Sequence, residues 1–293
     1  MIGAHHNTYY IPQPSHWPLV ASTALTTTLV GAASWLHDDW YGPYLFVLGL
    51  ILLTFMLFGW FGQVIYENQR ELYNLRVDRS FRLGMCWFIF SEVCFFGAFF
   101  GALFFSRYWS LPMLGGDLPL HPISHLTLWP NFQFTWPLLK NPDNQAFVGA
   151  SEAMGAWGLA AVNTLILLTS GATITWAHWA LKLNKRHQLH IGLAFTIALG
   201  LLFLSLQAYE YHEAYTEMNL TLDAGIYGTT FFMLTGFHGL HVTIGTIMLI
   251  TIFARTLYGH FTPERHFGFE AVAWYWHFVD VVWLFLFIFV YWL

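Results

Sequence analysis

The chain has 293 residues, of which 57% are hydrophobic, 20% aromatic and 9% charged, with a formal net charge of −5. A soluble domain carries about 25% charged residues, so this composition excludes an ordinary water-soluble globule and implies a polytopic membrane protein. Eleven basic residues scattered along the chain make no cationic patch, which excludes nucleic acid as a partner.

Residues 1–16 contain no Lys or Arg and read as an N-terminal tail rather than a cleavable signal. About 20 apolar residues span a bilayer, and seven stretches qualify: 17–36, 43–66, 81–106, 152–180, 191–212, 226–254 and 270–292. The first is the weakest. Its Ser22, Thr23, Thr26, Thr27 and Thr28 are expected to pack against a neighbouring helix. Cys86 and Cys94 sit eight residues apart in the third span. Eight helical residues rise about 12 Å, too far for the ~7 Å Cα separation a disulfide needs. Both read as buried small hydrophobes. Residues 107–151 form a long segment rich in Pro, Gly and His. Structureless loops of that length are uncommon and often functional; the other reading is an outside cap packed on a neighbour. No internal repeat is visible, so the inverted-repeat pattern of many transporters is absent.

The basic residues fix an orientation. Arg70, Arg76, Arg79 and Arg82 follow span two, Lys182, Lys185 and Arg186 follow span four, and Arg255 and Arg265 follow span six. Only Arg107 and Lys140 lie on the opposite side. Lys and Arg accumulate in cytoplasmic loops, so the N-terminus is expected inside and the C-terminus outside. The chain then divides into a tail (1–16), a two-helix arm (17–66), a basic cytoplasmic loop (67–80) and a five-helix bundle (81–293) with its external loop at about 107–151.

Several polar groups interrupt the apolar spans, where an ionisable side chain costs at least a few kcal/mol. Glu92 is a lone carboxylate among aromatics, suited to a relay, an ion or lipid site, or a buried hydrogen bond. Glu210 and Glu213 lie one turn apart on span five. Glu210 and His212 splay by about 200° on a helix, which argues against one metal held by both. His238 and His241 share a face of span six; His-x-x-His can bind zinc or copper, or can serve helix–helix hydrogen bonds. In the last span Glu270, His277 and Asp280 fall on one face, His277 about 20° and Asp280 about 80° from Glu270. No phosphate loop, haem-attachment motif or zinc-protease motif is present.

Taken in order, Ser91-Glu92-Val93, Thr173–His178, Gln207–Ala214, Tyr227–Phe232 with Thr235–Val242, and His266–Leu293 resemble subunit III of cytochrome c oxidase. The resemblance runs from Ser15-His16-Trp17-Pro18 to the C-terminus. It implies an all-α membrane protein with seven transmembrane helices in two bundles, I–II and III–VII, around a V-shaped cleft that holds phospholipid. It implies no catalytic, metal or redox group in this chain. Haem and copper would sit in partner subunits, subunit I being the main contact and subunit II part of the same complex. The complex would reduce O₂ with electrons from cytochrome c and pump protons, while this subunit stabilises the catalytic one and supports proton uptake.

The resemblance also assigns residues. The family's intramembrane glutamate matches Glu92, its lipid-facing Arg matches Arg255 and its lipid-facing Trp matches Trp60. Tyr66 stands before Glu67 where the family often has a basic residue; Arg70, one turn on, is the candidate replacement. Glu210, Glu213, His238, His241, Glu270, His277 and Asp280 become buried structural polarity. Residues 71–90 and 107–150 look proteobacterial, which implies a bacterial inner membrane. His5, His6 and His16 either buffer protons at the inner surface, imidazole titrating near neutral pH, or belong to a tail without function.

Three alternatives remain open from sequence: a quinol oxidase subunit III, a proton-coupled transporter, and a metalloenzyme built on His238, His241 and His277. The orientation is directly testable. With the native cysteines replaced, a cysteine at Asn184 should react with an impermeant maleimide only from the cytoplasmic side, and one at Asn144 only from outside. The reverse pattern would overturn the assigned topology.

Overall fold

A computed structural model describes residues 9–117 and 122–293; His5, His6 and His121 lie outside them. The described residues contain seven helices long and apolar enough to cross a membrane. They fall into two compact units, Met1–Leu83 and Gly84–Leu293.

In the first unit α1 (Trp17–Leu36) and α2 (Gly42–Gln69) form a helical hairpin. Pro18 and Pro43 stand in the first turns, where a missing N–H costs nothing and the fixed φ suits the helix. The two backbones meet at glycine. A Cβ on Gly31 would strike the backbone of Phe46, one on Gly42 the backbone of Trp35, one on Gly49 the backbone of Thr28, and one on Gly59 the Trp17 ring. Close approach through small residues is how helices associate where lipid offers no hydrophobic drive. The Ser/Thr content of α1 is otherwise spent locally: Thr23, Thr27 and Thr28 bond carbonyls one turn back.

Helix α3 (Leu75–Phe105) runs across the boundary between the units and continues through a π-helical turn, Ser106–Ser110, into α4 (Leu111–Gly115). A short α5 (Pro122–Leu128) follows. The 107–151 segment is therefore partly helical rather than structureless. Its remainder caps its own bundle: Asn141 Nδ2 donates to the Phe147 and Ala224 carbonyls, Ser151 N to Met218 O and Met154 N to the Tyr227 hydroxyl. This loop extends to Gly158, whose φ of +133° starts the next helix. Span four accordingly begins at Leu159, not at 152.

The second unit is built on α6 (Leu159–Lys182), α7 (Arg186–Thr216), α8 (Ile226–Leu257) and α9 (Phe267–Leu286), the last extended by a π-helical segment, Phe287–Trp292. Each of the four packs on the next, and α9 returns to α6. Asn184 makes the α6–α7 corner at φ +54°, a left-handed position Asn tolerates better than most residues.

Trp276 of α9 keys the ring together. It is fully buried, its indole N–H donates to Ser170 Oγ of α6 at 2.9 Å, and its ring fills the space above Gly200 of α7 and Gly245 of α8. One side chain thus touches all three partner helices. The part of α3 in this unit joins through ring contacts, Phe95 to Phe237, Phe96 to Phe278 and Phe100 to Phe285. Cys86 and Cys94 are exposed, which corrects the expectation that they are buried. They point away from the face carrying Glu92 and Phe96, because 86 and 94 are displaced by about 120° and 200° from 92 on a helical wheel.

Removing the key should be costly. Trp276→Ala should destabilise the bundle by about 3–5 kcal/mol, the usual range for truncating a buried Trp or Phe, and lower the temperature at which the subunit leaves its complex. Val281→Ala, at a half-exposed position one turn on, should leave that temperature unchanged.

Candidate functional site: polar clusters among the helices

The polar residues of α6 and α9 form one antiparallel seam. Along α6, Thr164 Oγ1 accepts from Trp283 Nε1 at 2.9 Å, Ser170 Oγ accepts from Trp276 Nε1, and Thr175 Oγ1 lies 3.2 Å from His277 Nε2. Beyond them His178 Nε2 lies 3.6 Å from Glu270 Oε1. Gly171 leaves room for the Asp280 carboxylate, which a Cβ there would strike. The expected common face of Glu270, His277 and Asp280 is thus the face that meets α6. His277 is only half-buried, with 45% of its side chain exposed, and its Nδ1 lies 3.8 Å from Asp280 Oδ2. Glu270 and Asp280 are buried.

Glu92 meets His241. Its Oε2 lies 2.9 Å from His241 Nε2, and His241 Nδ1 lies 2.6 Å from the Phe237 carbonyl. Phe95, Phe96 and Tyr275 surround the imidazole. The hydrogen bond joins α3 to α8 inside an otherwise aromatic contact. His238 takes different surroundings: fully buried, it lies edge-on to Phe203 and tilted against Trp283. The two rings of the His-x-x-His pair therefore serve separate contacts and do not converge on one point.

Glu210 is fully buried and accepts from the Tyr291 hydroxyl at 2.9 Å, tying α7 to the C-terminal π-helical segment. Glu213 is only half-buried and does not share that position. Gln207 Nε2 donates to the Thr235 carbonyl, and the Tyr211 and Thr235 hydroxyls lie 2.7 Å apart, so α7 and α8 are also cross-linked.

In the first unit the sequence reading missed a network. Trp17 Nε1 donates to Gln63 Oε1, Gln63 Nε2 donates to Glu67 Oε1, and the Tyr73 hydroxyl donates to Glu67 Oε2 at 2.8 Å. Burial, then this hydrogen bond and the adjacent negative charge, push the Tyr73 phenol above its ordinary range. Glu67 is therefore held within its own unit. The i, i+4 spacing of Gln63 and Glu67 was a legible signal for one link; Trp17 and Tyr73 offered none.

The residues assigned to lipid are disposed as follows. Trp60 is 39% exposed and lies more than two turns inside the end of α2. Arg70 caps α2, exposed, with its guanidinium 4.3 Å from the Tyr66 ring centre. Arg255 is half-buried in the last turn of α8, 4.3 Å from the Phe261 ring centre. Its Nε is buried with no hydrogen-bond partner among the described residues.

One further cluster was not anticipated. His178, His266 and Glu270 place their ligand-type atoms within 4.8 Å of one another.

The sequence matches the family described as cytochrome c oxidase subunit III over residues 6–141 and 145–293. It is similar to cytochrome c oxidase subunit 3 of Arabidopsis thaliana, 39% identical over 293 residues, which are 100% of this chain and 98% of the plant protein. It is 42% identical to the subunit 3 of Cyprinus carpio over 285 residues, 97% of this chain and 96% of the fish protein. Against the Equus caballus protein the identity is 40% over 288 residues, with coverage of 97% and 96%. Seven spans, a matched family over nearly the whole length and relatives aligned end to end agree: the chain belongs to the cytochrome c oxidase subunit III family.

Proposed function

We propose that the chain binds phospholipid at the inner ends of its helices and sustains the catalytic subunit during turnover. Family membership makes it a multi-pass subunit of cytochrome c oxidase, partnered by other oxidase subunits, in a family whose subunit III carries no redox centre. The finer reading makes subunit I the main contact and places the protein in a bacterial inner membrane. That location rests on the proteobacterial look of residues 71–90 and 107–150.

Arg255 carries the lipid reading. A cation in the last turn of a helix is stabilised by the helix dipole, yet its Nε finds no acceptor among the described residues. A phosphate head group supplies one. A basic residue at the membrane surface contributes about 1 kcal/mol toward anionic lipid. Arg70, exposed beside Tyr66, offers the other unit an equivalent contact, and Trp60 presents its ring to acyl chains. Support of proton uptake is proposed for the same side, where His16 and His187 stand at helix starts.

Arg255→Ala should leave the purified complex with less anionic phospholipid, bound about fivefold more weakly, while Arg255→Lys retains most of it. Equal phospholipid content and retention in all three forms would refute the lipid reading. Separately, Glu92→Ala should leave the initial rate of O₂ reduction intact but shorten the enzyme's working life. An unchanged lifetime would refute the sustaining role of the Glu92–His241 contact.

A further inference from the structure

His178 lies in the last turns of α6, His266 immediately precedes α9, and Glu270 stands in the first turn of α9. Their side chains are 17%, 8% and 11% exposed. Both imidazoles direct Nε2 at the same carboxylate oxygen, Glu270 Oε1, each from 3.6 Å. That separation is too long for a hydrogen bond. It is close to the ~3.4 Å edge of a tetrahedron whose centre lies about 2.1 Å from N and O ligands, the bond lengths zinc makes.

The surroundings of the cluster fix the orientation of its two histidines. His266 Nδ1 lies 3.2 Å from the Thr262 carbonyl. A bond there places the proton on Nδ1 and leaves the Nε2 lone pair facing Glu270, as metal-bound histidines are usually oriented. Thr262 is itself fixed by reciprocal backbone bonds with Arg265. His266 is more than nine-tenths buried, and its Nε2 has no hydrogen-bond partner among the described residues. The His178 ring stacks on Phe269 and meets His266 edge to face, so it too is held in place. Arg255 lies against the same turn, its Nη1 3.1 Å from where a Cβ on Gly268 would stand. A cation bound here therefore needs the Glu270 carboxylate to offset that charge.

We propose that His178, His266 and Glu270 form a binding site for a divalent transition-metal cation of the zinc class, joining the end of α6 to the start of α9. Two imidazole nitrogens and one carboxylate oxygen suit zinc, nickel or copper(II) and disfavour magnesium or calcium, which take all-oxygen shells. A fourth ligand would complete a tetrahedral shell. The site is separate from the His238–His241 pair and does not depend on the lipid reading.

The test is zinc binding to the intact purified oxidase, compared with the complexes carrying His266→Gln and Glu270→Gln. After gel filtration the unmodified complex should retain one more zinc than either variant, and the affinity at that stoichiometry should fall by at least about tenfold when a ligand is lost. Variants that assemble normally yet retain the same zinc with the same affinity would overturn the site. A second measurement needs no variant: zinc should protect His178 from diethyl pyrocarbonate in the unmodified complex, read by mass spectrometry of its peptide. Magnesium should give no protection. Modification of His178 at the same rate with and without saturating zinc would overturn the proposal.

Discussion

Lipid offers no hydrogen bonds, so a polar side chain inside a membrane bundle must find its partner on another helix or on its own backbone. The seam between α6 and α9 meets this constraint at Thr164–Trp283 and Ser170–Trp276, and the bundle is arranged around those two bonds. Its bonds are individually modest; interhelical hydrogen bonds in membranes average about 0.6 kcal/mol. What makes them decisive is that the Trp276 and Trp283 indoles bond and fill space at once. Trp276 can reach Ser170 only if Gly200 and Gly245 let its ring lie flat between α7 and α8. Hydrogen bonding across one interface thus fixes steric packing at two others.

The same logic explains how α3 is held. In the second unit its Phe95, Phe96 and Phe100 rings meet Phe237, Phe278 and Phe285. Aromatic contacts tolerate sliding, but the Glu92–His241 bond at 2.9 Å does not. A single polar pair in an apolar interface sets register, much as a buried polar residue does in a coiled coil.

Much of this was legible in the sequence, for a physical reason. Span existence follows from apolar length alone, so all seven were recovered, and the regular placement of Arg and Lys supported their alternation. Span ends were less legible. Helix α3 begins at Leu75, well before its apolar run, because Arg76, Asp78 and Arg82 are all compatible with an exposed helical surface and Asp78 pairs with Arg82 one turn on. Span four starts late because Gly158 needs a positive φ that hydropathy does not register. The common face of Glu270, His277 and Asp280 was calculable from helical geometry. Its partners were not, since Thr175 and His178 lie about 100 residues away. Glu92 and His241 were each noticed, but nothing in their spacing joined them. The cluster at His178, His266 and Glu270 escaped for the same reason: only His266 and Glu270 are local, and the third member comes from another helix.

The glycine contacts of the α1–α2 hairpin constrain how this region can evolve. At Gly31 and Gly42 the opposing atoms are all backbone, and at Gly49 two of the three are; no rotamer change can move these aside. Even one added methyl group must push whole helices apart. The outward positions are different: Leu29, Ile51 and Phe58 face away from the contact and are largely exposed, so exchange among large apolar residues there leaves the hairpin intact. Substitutions in this arm should therefore be sharply divided by helical face, with the smallest residues the least free to drift and the bulkiest the most.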